Sequence, residues 1–173
     1  MFRPVSADID FVAVEEAELT RWETHDVFQR TMTERAGGPT WVFYEGPPTA
    51  NGKPGLHHVW ARIYKDLLCR FQTMRGYHVP RRAGWDTHGL PVEVQVEKSL
   101  GISGKKAIEE QVGIEEFTRL CRESVHLYVG EFEKLTRRIG YWVDLDKAYW
   151  TYHPTYVESV WWQLQQLFTK GLI

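Results

Sequence analysis

Two adjacent histidines, His57 and His58, follow a run of turn-forming residues and open a segment with helical spacing. A helix N-terminus presents unpaired N–H groups and a partial positive charge, so it attracts phosphate. Imidazoles placed there donate hydrogen bonds to phosphate oxygens, more strongly as charge develops in a transition state. The preceding turn contains Gly46, Pro47, Pro48, Asn51, Gly52, Pro54 and Gly55. Its glycines let a ligand approach the backbone closely. Further on, Gly84-Trp85-Asp86-Thr87-His88-Gly89-Leu90-Pro91 supplies the carboxylate of Asp86, suited to a cationic group such as an α-ammonium. Together these residue types describe a site for a phosphate and a cation, one able to join a nucleotide phosphate to an amino acid. A purely structural reading stays open beside it: a turn that carries two histidines, and a Gly-Trp-Asp segment that ends a strand.

The elements around these residues have a recognisable order. Trp41-Val42-Phe43-Tyr44 is a short apolar, aromatic run that suits a buried strand. A helix follows from about Leu56 to Arg75, stopped by Gly76, since glycine tolerates the left-handed conformation at a helix C-terminus. Its Val59, Ile63, Leu67, Cys69 and Met74 form a mixed face, with Arg62, Lys65 and Asp66 elsewhere. A second run, Tyr77 to Ala83, leads to Asp86. Strand, glycine-rich turn, helix, strand is half of a dinucleotide-binding fold, with polar groups at the strand ends where such folds bind ligands.

Upstream, residues 1 to 12 show no strong pattern. Ala13 to Arg35 reads as a charged helical arm ended by Gly37-Gly38-Pro39, with Leu19, Trp22, Val27 and Phe28 facing inward and His25 in solvent. Downstream, Val92 to Leu100 reads as helical, although its alternating valines also fit a strand. Gly101 to Gly113 is a loop with a short helix near Ala107 to Gln111. Glu115 to Ile139 is the clearest long helix, with Phe117, Leu120, Cys121, Ser124, Tyr128, Phe132, Leu135 and Ile139 at spacings of three and four and His126 on the surface. Val143 to Tyr152 reads as a connecting stretch. A last helix starts at Pro154 or Thr155 and carries Val157, Val160, Trp161, Leu164, Leu167 and Phe168 on one face.

A chain of 173 residues, 43% hydrophobic, is enough for one domain with a real core. Eight tryptophans point to large aromatic packing or to a surface that receives more chain. A net charge of -2 gives this piece no electrostatic footprint for nucleic acid. Cys69 and Cys121 lack metal-type spacing and read as reduced core thiols. With no signal peptide and no run of 18 apolar residues, a soluble, cytoplasmic protein away from membranes is expected.

Two blocks carry a family resemblance: Gly46-Pro47-Pro48-Thr49-Ala50-Asn51-Gly52 through His58, and Gly84-Trp85-Asp86-Thr87-His88-Gly89-Leu90-Pro91-Val92-Glu93. Arg122-Glu123-Ser124 and Tyr141-Trp142-Val143-Asp144 add to it. The chain resembles the class I aminoacyl-tRNA synthetases from Trp41 to Ile173 and, within them, is most similar to the isoleucyl enzymes. Leucyl enzymes tend to carry Phe where this chain has His88, and valyl enzymes an Asp-His-Ala-Gly pattern. The resemblance implies an α/β fold: residues 41–173 as the N-terminal half of a Rossmann-type parallel-sheet catalytic domain, cut near the editing insertion, and residues 1–40 as a helical extension. It implies activation of isoleucine with ATP and Mg2+ to isoleucyl-adenylate, then transfer to tRNA(Ile). By the same resemblance Gly46 and Pro47 line the amino-acid pocket, Asp86 holds the ammonium, and His88 shapes the pocket or supports Asp86. His58 matches the last histidine of the HIGH signature and contacts ATP, Gly55 and His57 belong to the same ATP site, and Thr49 and Asn51 are further nucleotide contacts. No metal site is expected within the chain itself.

The signature departs from its family pattern. HIGH places histidines first and fourth and glycine third, whereas this chain reads Gly55-Leu56-His57-His58. First and fourth residues of a helical turn share a face, while adjacent residues point about 100° apart. His57 therefore replaces the first histidine only from a shifted turn, with Gly55 easing backbone approach. The lysine-bearing KMSKS-type loop, the anticodon-binding helices and the editing insertion have no match here. The expectation is that this piece alone turns over weakly or not at all, and that tRNA affinity resides mostly elsewhere. The competing readings are a valyl or leucyl synthetase and a non-catalytic synthetase-like binding module, the latter favoured by the altered signature.

Overall fold

The computed structural model describes residues 8 to 173, so the first seven residues of the expected 1–40 extension lie outside the described part. Strands β1 (Phe43–Tyr44), β2 (Arg81–Trp85) and β3 (Asp144–Trp150) lie side by side in that order, all parallel. Parallel neighbours require a long crossover. Helix α3 (Leu56–Met74) makes the first; α4 (Leu90–Leu100), α5 (Lys105–Ala107), a π-helical turn (Ile108–Val112) and α6 (Ile114–Arg138) make the second. Helices α1 (Phe11–Thr24) and α2 (Val27–Thr33) precede the sheet, and α7 (Pro154–Thr169) follows it. This is the expected α/β arrangement of helices and parallel strands. Pairing runs beyond β1, since Trp41 N–H donates to His78 O and Glu45 N–H to Arg82 O, each at 2.9 Å.

Glycines punctuate the helices as the sequence indicates. Gly76, at φ +97°, follows α3, while Gly89 (φ +87°) and Gly101 (φ +68°) bracket α4 and Pro91 sits in its first turn. The segment that also fitted a strand is therefore a helix. The buried stripe of α6 is Phe117, Val125, Val129, Phe132 and Thr136. Leu120, Ser124, Tyr128 and Leu135 are only half-buried, so the expected stripe is rotated by about one residue. Ala50, Trp85, Val92, Val125, Val129 and Phe132 make the principal core, which joins the turn after β1 to α4 and α6.

Three elements differ from the sequence reading. The arm is two helices, because Asp26 takes a left-handed conformation (φ +49°) that aspartate tolerates better than most residues. The supposed connector after Val143 is β3, whose Asp144, Asp146 and Lys147 hide it from a search for apolar runs. It pairs with β2 on one side only, with a register shift between Arg82 and Gly84 that Arg82 Nε bridges by donating to Lys147 O at 2.8 Å. Most consequential, α3 buries polar residues and leaves much of its apolar surface exposed. Arg62 and Cys69 are buried, while Ile63, Leu67 and Met74 are 57%, 60% and 73% exposed.

Ion pairs hold much of that polar inner face, while Arg62 lies over the Phe132 and Tyr141 rings. Asp66 accepts from Arg70 Nε at 2.7 Å, from Arg81 Nη1 at 3.2 Å and from Trp142 N–H at 3.4 Å. Arg81 is fully buried and also donates to Thr73 Oγ1 at 3.0 Å. Arg70 donates to Gly140 O at 2.6 Å and lies 3.5 Å over the Trp142 ring, against which Trp22 and Phe28 of the arm pack. Leu19, Trp22, Val27 and Phe28 are half-buried, as their inward assignment requires. Both cysteines are free, and burial pushes the Cys69 thiol up to about 11. The apolar face of α7 is exposed among the described residues, with Trp161 and Phe168 at 67% and 72%.

Two stability tests follow from this packing. Asp66→Ala strips a buried guanidinium of its counter-charge and should cost about 3–5 kcal/mol, read as a lowered denaturant midpoint. A Cβ at Gly84 would collide with the Tyr149 ring, whose hydroxyl donates to Glu45 O at 2.5 Å. Gly84→Ala should therefore lower the melting temperature by forcing that ring off its partner, at a cost of about 1–3 kcal/mol.

Candidate active site

The turn after β1 is held from both ends. At its start, Glu45 is 4% exposed, and its carboxylate accepts from Lys65 Nζ and from the Tyr141 hydroxyl. Lys65 Nζ also reaches Gly46 O at 3.3 Å. Burial, with the Glu45 charge next in weight, raises the proton affinity of the Tyr141 phenol, so it stays a donor. At its far end, Asp86 N–H donates to Pro48 O at 3.1 Å and Ala50 N–H to Asp86 O at 2.9 Å, extending the parallel ladder past β2. Thr49 Oγ1 donates to Asp86 Oδ2 at 2.8 Å. Thr49, expected at the nucleotide, is thus occupied with orienting the Asp86 carboxylate. Gly46 and Gly52 face open space where a Cβ would meet nothing within 4 Å, Pro47 is half-buried, and Asn51 sits at the turn tip.

The altered signature forms an ordinary helix start. Gly55 is the N-cap in extended conformation (φ -109°, ψ 174°), and α3 begins at Leu56. His58 is the third helical residue; its N–H donates to Gly55 O at 3.0 Å, and Gly55 N–H donates back to His58 Nδ1 at 2.9 Å. With Nδ1 accepting, the ring proton resides on Nε2. Burial lowers the proton affinity of His58, helped by the neighbouring His57 and Arg62. Its ring stands edge-on to Phe132 at 4.8 Å. His57 is exposed and its ring lies 3.8 Å from that of His58. A Cβ at Gly55 would come within 3.0 Å of His57 Cε1 and 3.1 Å of Nδ1. Helical side chains lean toward the helix N-terminus, and the His57 ring does so into space that a side chain at position 55 would otherwise take.

The structure thus makes two clusters of the expected residues: Gly55, His57 and His58 on α3, and Gly46, Pro47, Thr49 and Asp86 at the strand ends. No direct bond joins them. Phe132 touches both His58 and Trp85, and Lys65, two turns below His58, binds Glu45 and Gly46 O. His88 is exposed two residues beyond Asp86, with Nδ1 2.6 Å from Thr151 Oγ1. Sequence reasoning missed Glu45, Lys65, Tyr141 and Thr151. Only Glu45 carried a usable signal, an acid closing an apolar run just before the glycine-proline turn. Among the described residues no group of three His, Cys, Asp or Glu side chains could hold a metal ion, and no helix is long and apolar enough to cross a membrane.

Comparison with known proteins adds family evidence to this geometry. Residues 17–173 match the model of the class I tRNA synthetases for I, L, M and V. An isoleucine–tRNA ligase from Thermobifida fusca is 59% identical over 172 residues, and one from Thermus thermophilus is 54% identical over 173. They align with 99% and 100% of this chain, which spans only 16% of the length of either relative. Among solved structures, a leucyl enzyme from Agrobacterium radiobacter K84, described as a ternary LeuRS-tRNA-LeuAMS complex, matches with a TM-score of 0.65 at 20% identity. That match covers 95% of this chain and 18% of that one, and speaks for the fold. With its parallel sheet, its histidine-bearing helix start and a family match over nearly all of its length, the chain belongs to the class I tRNA synthetases.

Proposed function

We propose that the protein containing this chain activates isoleucine with ATP and transfers it to tRNA(Ile), and that residues 41–173 furnish the amino-acid and ATP-facing half of its catalytic domain, with residues 1–40 as a helical extension. The observation that carries this reading is the locking of the Gly46–Ala50 turn to Asp86 beside a helix start bearing His57 and His58. Relatives at 54–59% identity over the whole chain are isoleucine–tRNA ligases, which favours isoleucine over leucine or valine. In this reading Asp86, oriented by Thr49, holds the substrate ammonium, and Gly46 and Pro47 line its pocket. The amino-acid carboxylate attacks the α-phosphate of ATP in line, forming the C–O–P bond of the adenylate as the bond to pyrophosphate breaks. Mg2+ enters with the ATP phosphates.

The chain's own contribution is position and charge. Neutral His58 offers Nε2–H toward the phosphates, His57 supplies a second imidazole from above Gly55, and Asn51 lies at the rim of the nucleotide site. A donor aimed where charge develops is worth about 10²–10³ in rate.

Amino-acid-dependent ATP–pyrophosphate exchange on the longest natural polypeptide containing this chain tests the reading. Exchange should favour isoleucine over valine and leucine. His58→Ala should reduce it by about 10²–10³, and His57→Ala should reduce it too. Exchange with no amino acid would support the binding-module reading instead, and an unaffected His57→Ala would remove His57 from the site.

The half-buried His58 also sets a pH dependence. Its folded-state proton affinity lies below the unfolded value of about 6.5, so the unfolded chain takes up the proton first as pH falls. The stabilisation is therefore complete above that value and is lost as pH drops through the folded pKa. A His58→Gln variant should show a flatter fall in melting temperature between about pH 7 and 5 than the unsubstituted protein.

A further inference from the structure

Beyond β2 the chain alternates in burial: Asp86 is half-buried, Thr87 is 4% exposed and His88 is exposed. Asp86 and His88 stand two residues apart past the end of β2, and the side chains of Thr87 and His88 both reach Thr151. Thr87 meets Thr151, itself 5% exposed, at the end of β3. Thr87 N–H donates to Thr151 Oγ1 at 2.9 Å, and Tyr152 N–H donates to Thr87 Oγ1 at 3.1 Å. The two hydroxyl oxygens are 3.2 Å apart, and Thr151 Oγ1 lies 2.6 Å from His88 Nδ1.

Counting protons fixes the direction of this relay. If His88 Nδ1 carried hydrogen, it would donate to Thr151 Oγ1, and the Thr151 proton would have to go to Thr87 Oγ1. The proton of Thr87 would then be buried with no acceptor, a cost that native interiors avoid. In the opposite order every group is used. Thr87 donates to Thr151, Thr151 donates to His88 Nδ1, and the imidazole proton resides on the exposed Nε2. A buried threonine pair thus selects the tautomer of an exposed histidine.

We propose that Thr151 is a positioning residue that makes His88 a fixed Nε2–H donor for the carboxylate of the substrate amino acid, while Asp86 two residues earlier takes its ammonium. The pair would read the head group of a zwitterion: acceptor and donor two residues apart in one short segment. This rests on the amino-acid-activating function proposed above. Thr151 does not touch substrate; it acts through His88.

The test uses the same full-length protein and two probes, isoleucine and 2-methylbutylamine, which keeps the side chain and ammonium but lacks the carboxylate. KM for isoleucine in pyrophosphate exchange and the inhibition constant of the amine are measured for Thr151→Val and Thr151→Ser. Thr151→Val should raise the isoleucine KM about tenfold while changing the amine constant less than about twofold. Thr151→Ser, which keeps the hydroxyl, should restore isoleucine binding. Equal losses for both probes would make Thr151 merely structural and overturn the proposal, as would a Ser variant as impaired as the Val variant. Failure of the unsubstituted protein to exchange with any amino acid would instead overturn the function on which the proposal rests.

Discussion

The inner face of α3 is built from charges, and the rest of the structure depends on their being paired. Lys65, Asp66, Arg70 and Thr73 recur at helical spacing and meet Glu45, Arg81 and the Gly140–Trp142 backbone, while Arg62 lies over the Phe132 and Tyr141 rings. A buried ion pair adds little net stability over well-packed apolar residues, but a broken one is expensive. Its use here is register. An apolar face could slide by a turn at modest cost, whereas these charges find partners in one position only. That position puts the His57–His58 end of α3 in fixed relation to the turn that begins at Glu45.

The same network reaches outward. Arg70 stacks on Trp142 and Arg81 lies near Phe28 and Trp142, so arm helices α1 and α2 are tied to the crossover helix through aromatic rings as well as packing. Gly140, in a left-handed conformation, leaves room for Trp22 to approach. The arm therefore braces the end of α3 remote from His57 and His58.

What the sequence made legible was most of the order of elements and two groups of candidate residues. The βαβ unit, the glycine stops of α3 and α4, the long α6 and the half-buried arm residues follow from local periodicity and turn chemistry. The turn bonded to Asp86 and the histidines at a helix start were likewise readable from motif and spacing. Three things were not. Strand β3 has one unpaired edge and alternating charges, so it lacks the apolar run that marks a strand. The orientation of α3 was not legible because a hydrophobic pattern reveals which face is apolar, not that charged residues lie on the buried one. The Thr87–Thr151–His88 relay joins positions more than sixty residues apart, where no local pattern operates.

The His57 ring leans over Gly55, into space that a larger residue at position 55 would contest.

The charged interior of α3 also bears on recombination between relatives. A crossover that brings in α3 from one parent and the Glu45 turn or Tyr141 segment from another would separate charges that are matched in this structure. Lys65 could face a shortened acid, or Arg81 an amide, with each helix individually sound. Viable junctions should therefore fall outside the span from Glu45 to Trp142, so that this part of the chain is inherited as a block even though its outward surface is free to vary.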